Sequence, residues 1–258
     1  MRTALAIMVI SFAPLGCGDP AATPSSPAPT SSAPVTVPPI EGELAQSYRL
    51  IQQGDAGPAR IRIRKWMEAN GEDARAMFLF GLAYHHERRY AMSSTWFTRA
   101  LDATPTYPPA AHFLGWSAYY LGDSDASRNA FMLHLNMSPD EGDSHYGLGL
   151  LALDAGELEA ARASFMRSIE LQRLHENRAD GVSKALVRIA ELDELQDNRR
   201  GARSHLEQAV AVDPDRIEGW HRLARCCRRL GDHDAAAEAE RQYAIALERV
   251  QPRGGFPE

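Results

Sequence analysis

The chain reads as an all-α solenoid of stacked helical hairpins, and three spacings predict it. Gly81, Gly115 and Gly149 stand 34 residues apart, as do Phe97, Phe131 and Phe165, and so do Pro105 and Pro139. A shared period in this range marks one supersecondary unit stacked on copies of itself. Inside the period the apolar spacings are helical: Met77, Phe80 and Tyr84 fall at i, i+3 and i+7, one face of a first helix. Ser93, Phe97 and Ala100 share a face of a second.

Taken in order, the chain opens with Arg2 and an apolar run, Thr3 to Leu15, ending in Leu15-Gly16-Cys17. That run is too short to span a bilayer as a mature helix and reads as a signal peptide over 1–16. Residues 17–40 form a linker rich in Pro, Ser, Thr and Ala, a composition that cannot bury enough apolar surface to fold. Extended at roughly 3.1 Å per residue, it reaches about 70 Å.

The solenoid is expected over 41–250. Residues 41–73 read as a degenerate first unit, with Tyr48, Gly54, Ala59, Ile63 and Trp66 near the repeating places. Unit 74–107 is the clearest, and Pro105 ends its second helix, as proline does just past a helix end. Unit 108–141 repeats it with Leu114, Gly115, Ala118, Phe131 and Pro139, and unit 142–175 with Leu148, Gly149, Ala152 and Phe165. The period then slips by seven residues, placing two extra helical turns or a loop at 175–182. Units 183–216 and 217–250 follow, carrying Leu186, Ala190, Leu206 and Pro214, then Trp220, Leu223, Ala224 and Ala236. Gly122, Gly156 and Gly231 mark turns inside hairpins, where a left-handed residue ends a helix. Residues 251–258 are a tail.

This pattern of Leu-Gly, aromatic, Ala, Phe and Pro at a 34-residue period resembles the tetratricopeptide repeat. The resemblance covers 41–250 and implies a right-handed superhelix of about five to six repeats whose first helices line a concave inner surface. Leu-Gly-Cys at 15–17 resembles a bacterial lipoprotein signal, with Pro14 where that signal carries Leu; the alternative is a plain secretory signal. The resemblance implies a lipidated Cys17 that tethers the protein to the cell envelope. Gly18 stands where Asp would mark inner-membrane retention in some bacteria, so the outer membrane is expected.

On the implied inner stripe the Gly81 unit places Phe78, Leu82, His85 and His86, and the Gly115 unit His112, Trp116, Tyr119 and Tyr120. The Gly149 unit adds Tyr146, Leu150, Leu153 and Asp154. Aromatics with a polar tip give large contact area with few rotors, which suits gripping a protein or peptide; the competing reading is packing between neighbouring units. Near Ala224 the stripe turns basic, with Arg225, Arg228 and Arg229. These residues could hold an acidic segment, or form a solvated face balanced by nearby Glu.

No nucleophile elbow, phosphate loop, HExxH or CxxCH is present, so a non-enzymatic scaffold without cofactor is expected. A net charge of −6 argues against nucleic acid as partner. Cys226 and Cys227 are adjacent and point apart on a helix, a poor geometry for a disulfide. The groove histidines keep a second reading open, a periplasmic small-ligand or metal-binding module.

Overall fold

The computed structural model describes residues 39–174 and 178–250. The expected signal peptide, Cys17, most of the linker and the tail lie outside the described residues. Within them are twelve α-helices and no strand, paired into six hairpins. They are α1 Gly42–Gln52 with α2 Ala56–Asn70, α3 Ala74–His86 with α4 Tyr90–Ala103, and α5 Pro108–Leu121 with α6 Ser124–Met137. Next come α7 Gly142–Asp154 with α8 Leu158–Arg173, α9 Ala179–Leu195 with α10 Arg199–Val212, and α11 Ile217–Leu230 with α12 His233–Val250.

Local chemistry sets many of the helix ends. Asp73, Asp123 and Asn198 each accept a hydrogen bond from a backbone N–H of the following first turn, which satisfies one of the donors a helix start leaves free. Pro108 opens α5 at a position where its missing N–H costs nothing. Each hairpin turn contains one residue of positive φ: Gly54, Arg88, Gly122, Gly156, Asp197 and Gly231. Four are glycines, which adopt this conformation freely. Arg88 and Asp197 bear the same turn at a cost of about 1 kcal/mol.

Hairpins close on a repeated contact between a glycine and a phenylalanine. Phe97, Phe131 and Phe165 are fully buried. A Cβ added at Gly81, Gly115 or Gly149 would sit 2.8, 2.6 and 2.6 Å from the respective ring, inside any tolerable separation. The glycine therefore sets how closely the two helices approach, and the ring fills the gap. Elsewhere the same two places hold a larger small residue with a smaller large one: Ser47 with Ile63 and Ala190 with Leu206, all buried. In the last hairpin the second place is Glu240, exposed and paired with Arg228 at 3.1 Å.

First helices of successive hairpins touch along one side, α1 on α3, α3 on α5, α5 on α7 and α9 on α11, forming the inner wall. The step from α7 to α9 lacks this close approach. Here fall the seven inserted residues, taken up partly in longer helices. α8 has 16 residues against 14 in α4 and α6, and α9 begins at Ala179, four before the expected restart at Ser183. The apolar core is divided one step earlier, between α5 and α7. One cluster runs from Leu44 to Ala110 and the other from Ala152 to Ala239.

Gly149→Ala is expected to destabilise the fold by about 1–3 kcal/mol, the usual cost of overpacking. Adding Phe165→Leu should cost less than the sum of the single changes, because the fifth hairpin already uses an Ala–Leu pair. A double-mutant cycle in urea would read this coupling; strict additivity would show that the ring does not set the approach.

Candidate functional site

The inner wall carries a continuous run of aromatic rings drawn from three helices. Tyr90 at the start of α4 stacks on Tyr120 of α5, with centroids 4.6 Å apart and planes 23° from parallel. Tyr120 lies 6.2 Å from Trp116, and Trp116 lies 6.3 Å from Tyr146 of α7. Tyr119 meets Trp116 edge-on at 5.9 Å. Tyr120 is 52% exposed, so the run presents ring surface to solvent. Trp116 is held from two sides: its ring packs edge-on against buried Phe131 at 5.2 Å, and its indole N–H donates to Asp143 Oδ2 at 3.1 Å. Such locked aromatics lose little entropy on binding.

The sequence stripe divides in the structure. Trp116, Tyr119 and Tyr120 cluster together, joined at one edge by half-buried Tyr146, while His86 at the end of α3 is exposed. Phe78 and Leu82 are a correction to the sequence reading, at 5% and 3% exposed. Phe78 packs on Phe97, Tyr107 and Phe113 at 5.6–5.8 Å, because α5 lies directly over this face of α3. Both only edge an apolar cavity of about 470 Å³ shared with Ile40 and Tyr48. Leu150 is half-buried against the C-terminal core. His85 is half-buried with Nδ1 3.0 Å from Ser117 Oγ, and burial, then the charges of His86 and His112, lowers its pKa to about 4. Burial likewise pushes the Tyr119 hydroxyl up to about 12, with Asp154 adding to the effect.

Tyr90 escaped the sequence reading because it stands on a second helix, off the stripe. So did His134, Ser144 and Asp143, which form a polar cluster with His112 between the third and fourth hairpins. Ser144 Oγ, fully buried, lies 2.7 Å from His134 Nδ1 and 3.2 Å from His112 Nδ1. His112 Nε2 lies 3.3 Å from Asp143 Oδ2. His112, His134 and Asp143 border a cavity of about 380 Å³ that also meets Pro109, Glu141 and Arg178. Neither His134 nor Ser144 recurs at the repeat period, so periodicity gave no signal for them.

At the C-terminal end the arginines are paired. Glu194 takes Arg225 at 3.1 Å and Arg222 at 3.5 Å, with Arg229 at 3.9 Å. Arg188 bridges Glu191 and Glu218 at 2.6 and 2.9 Å. Arg225 and Arg229 thus sit in a balanced network rather than forming a free cationic patch, although their side chains remain 41% and 54% exposed. Cys226 and Cys227 are free and buried, and burial raises both thiol pKa values. Among the described residues no group of three or more His, Cys, Asp or Glu is arranged to hold a metal ion. None of their helices is long and apolar enough to cross a membrane.

A tetratricopeptide repeat family model matches residues 44–108, 114–174 and 192–249, most of the chain. Comparison with curated proteins finds no match. Among solved structures, pilF of Pseudomonas aeruginosa is similar at 17% identity and a TM-score of 0.66, over 81% of this chain and 90% of that one. PilW, described as a widely conserved type IV pilus biogenesis factor, is similar at 17% identity and 0.63, over 81% and 92%. YrrB, described as a TPR protein with an unusual peptide-binding site, gives 17% and 0.52 over 74% and 93%. At these identities the likeness is one of fold.

Burial also lowers the His134 pKa to about 4, so His85 and His134 both sit well below the ordinary 6.5. As pH falls, the unfolded chain therefore binds protons that the folded one refuses. Stability should be full above about 6.5 and decline as pH drops toward 4. Thermal unfolding of wild type and a His85→Asn, His134→Asn variant between pH 8 and 4 would check this. The variant's Tm should vary less with pH; an equal slope in both would assign acid sensitivity to other groups.

Proposed function

The chain belongs to the tetratricopeptide repeat family, and from that premise we propose that it is a non-enzymatic scaffold in the bacterial cell envelope. It binds an extended protein or peptide segment along its inner wall and helps to assemble or position an envelope complex. The observation that carries this reading is the run of rings Tyr90, Tyr120, Trp116 and Tyr146 across α4, α5 and α7, with Tyr120 exposed and the others half-buried. Rings held in place and exposed on one face are the composition of binding hot spots. Tyr119 borders the same surface, and His112 adjoins it through Trp116 at 6.4 Å.

What supports the envelope setting is the sequence at 1–40: an apolar leader, Cys17 directly after Leu15-Gly16, and a stretch rich in Pro, Ser, Thr and Ala. Attachment through several acyl chains gives a stable anchor. Fold similarity to pilF and PilW, the latter described as a pilus biogenesis factor, is consistent with an assembly role. The paired arginines near Glu194 take a secondary part, as a rim whose exposed Arg225 and Arg229 exchange partners with an acidic segment.

The test is a crosslinked capture from native envelopes, comparing wild type, a Trp116→Ala, Tyr120→Ala variant of unchanged helicity, and Cys17→Ala. Wild type should recover a specific protein from the membrane fraction. The aromatic variant should lose it at least tenfold, since two ring anchors are worth about 2 kcal/mol or more each. Cys17→Ala should leave the membrane fraction. Equal recovery with the aromatic variant would overturn the inner-wall assignment, and a membrane-bound Cys17→Ala would overturn the lipid anchor.

A further inference from the structure

We propose that the cavity between the third and fourth hairpins is a separate binding site for a cationic nitrogen group, an ammonium or guanidinium, held by Asp143 and His134. It rests on the scaffold reading in one respect, that the bearer is a lysine or arginine side chain of the bound partner. The cavity itself is distinct from the aromatic wall.

It has a volume of about 380 Å³ and lies where the starts of α5 and α7 meet the end of α6. Asp143 enters it with one oxygen engaged and one free. Oδ2 accepts the Trp116 indole N–H at 3.1 Å and lies 3.3 Å from His112 Nε2. Oδ1 accepts no hydrogen bond among the described residues. The Trp116 indole is a neutral donor and leaves the charge of the carboxylate uncompensated.

His134 completes the site through a proton count. Beside a carboxylate, His112 carries its proton on Nε2, which leaves a lone pair on Nδ1. Ser144 has a single proton and gives it to that lone pair at 3.2 Å. Ser144 Oγ must then accept from His134 Nδ1–H at 2.7 Å. His134 is therefore left with a bare Nε2, on a side chain only 6% exposed that lines the cavity and finds no partner for that atom among the described residues. Burial keeps it neutral at physiological pH.

The remaining charges agree. The lining holds two carboxylates, Glu141 and Asp143, against one guanidinium, Arg178, which lies 3.8 Å from Glu141. Lys184 of α9 acts on Asp143 only through space, and His85 of α3 is held neutral by burial. A half-buried pocket with net negative charge, a free carboxylate oxygen and a bare imidazole nitrogen selects a cationic donor by charge-assisted hydrogen bonds. Phe113 and Pro109 offer apolar wall for a methylene stem.

Trp116 provides the readout, since its indole N–H rests on Asp143. The isolated full chain would be titrated with N-acetyl-arginine amide at pH 7.5, following that N–H by NMR, with the alanine and glutamate amides as controls. A saturable shift is expected with arginine alone. The isosteric Asp143→Asn should abolish it, and His134→Phe should weaken it. Equal shifts with alanine, preference for glutamate, or wild-type arginine binding by Asp143→Asn would overturn the proposal. No partner protein is present, so these outcomes stand apart from the envelope capture.

Discussion

The close approach of glycine to a buried phenylalanine ring governs the rest of this molecule. At Gly81, Gly115 and Gly149 the ring lies where a Cβ would be, so the helix pair can close only over a residue without a side chain. The ring in turn is shared: Phe131 is also met by Gly147 of the following hairpin, at 2.5 Å from a built Cβ. One side chain thus fixes the spacing within a hairpin and the seat of the next. Burial of a phenylalanine that cannot move is worth several kcal/mol, and repetition of the contact makes the array one cooperative stack rather than six marginal hairpins.

That shared ring also explains where function can reside. Trp116 rests edge-on against Phe131 and is tied by its N–H to Asp143. Its outer face is held in place by interactions made entirely on its inner side, and Tyr120 and Tyr146 flank it. The inner wall therefore offers aromatic surface that needs little ordering to bind. At the same level the apolar core is interrupted, and His112, His134 and Ser144 fill the junction between its two clusters. Apolar packing would have been more stable there by simple area arguments. A polar cluster in that place, bordering a cavity, suits a binding site.

Departures from periodicity follow physical necessity. Arg88 and Asp197 keep the left-handed turn without glycine, since the turn is imposed by the packed helices on either side. The seven inserted residues lengthen helices and open the inner wall between α7 and α9, so the aromatic N-terminal half and the charge-paired C-terminal half are chemically different surfaces of one array.

The sequence by itself determined the fold, because hairpin packing is a local, repeated problem whose solution is written in every unit. Gly115 and Phe131 must lie 16 residues apart for one to accommodate the other, and that spacing is visible without coordinates. It also placed Trp116, Tyr119 and Tyr120 on one helix face. Only the tertiary structure decided which stripe residues stay open. Phe78 and Leu82 occupy the same stripe positions as His112 and Trp116, yet are buried, because the size of the neighbouring helix's side chains decides exposure. Only it brought Tyr90 onto Tyr120, paired the arginines with Glu194, and joined His134 to Ser144 and His112. Those contacts cross from one helix to another at non-repeating positions, and a period carries no information about what breaks it.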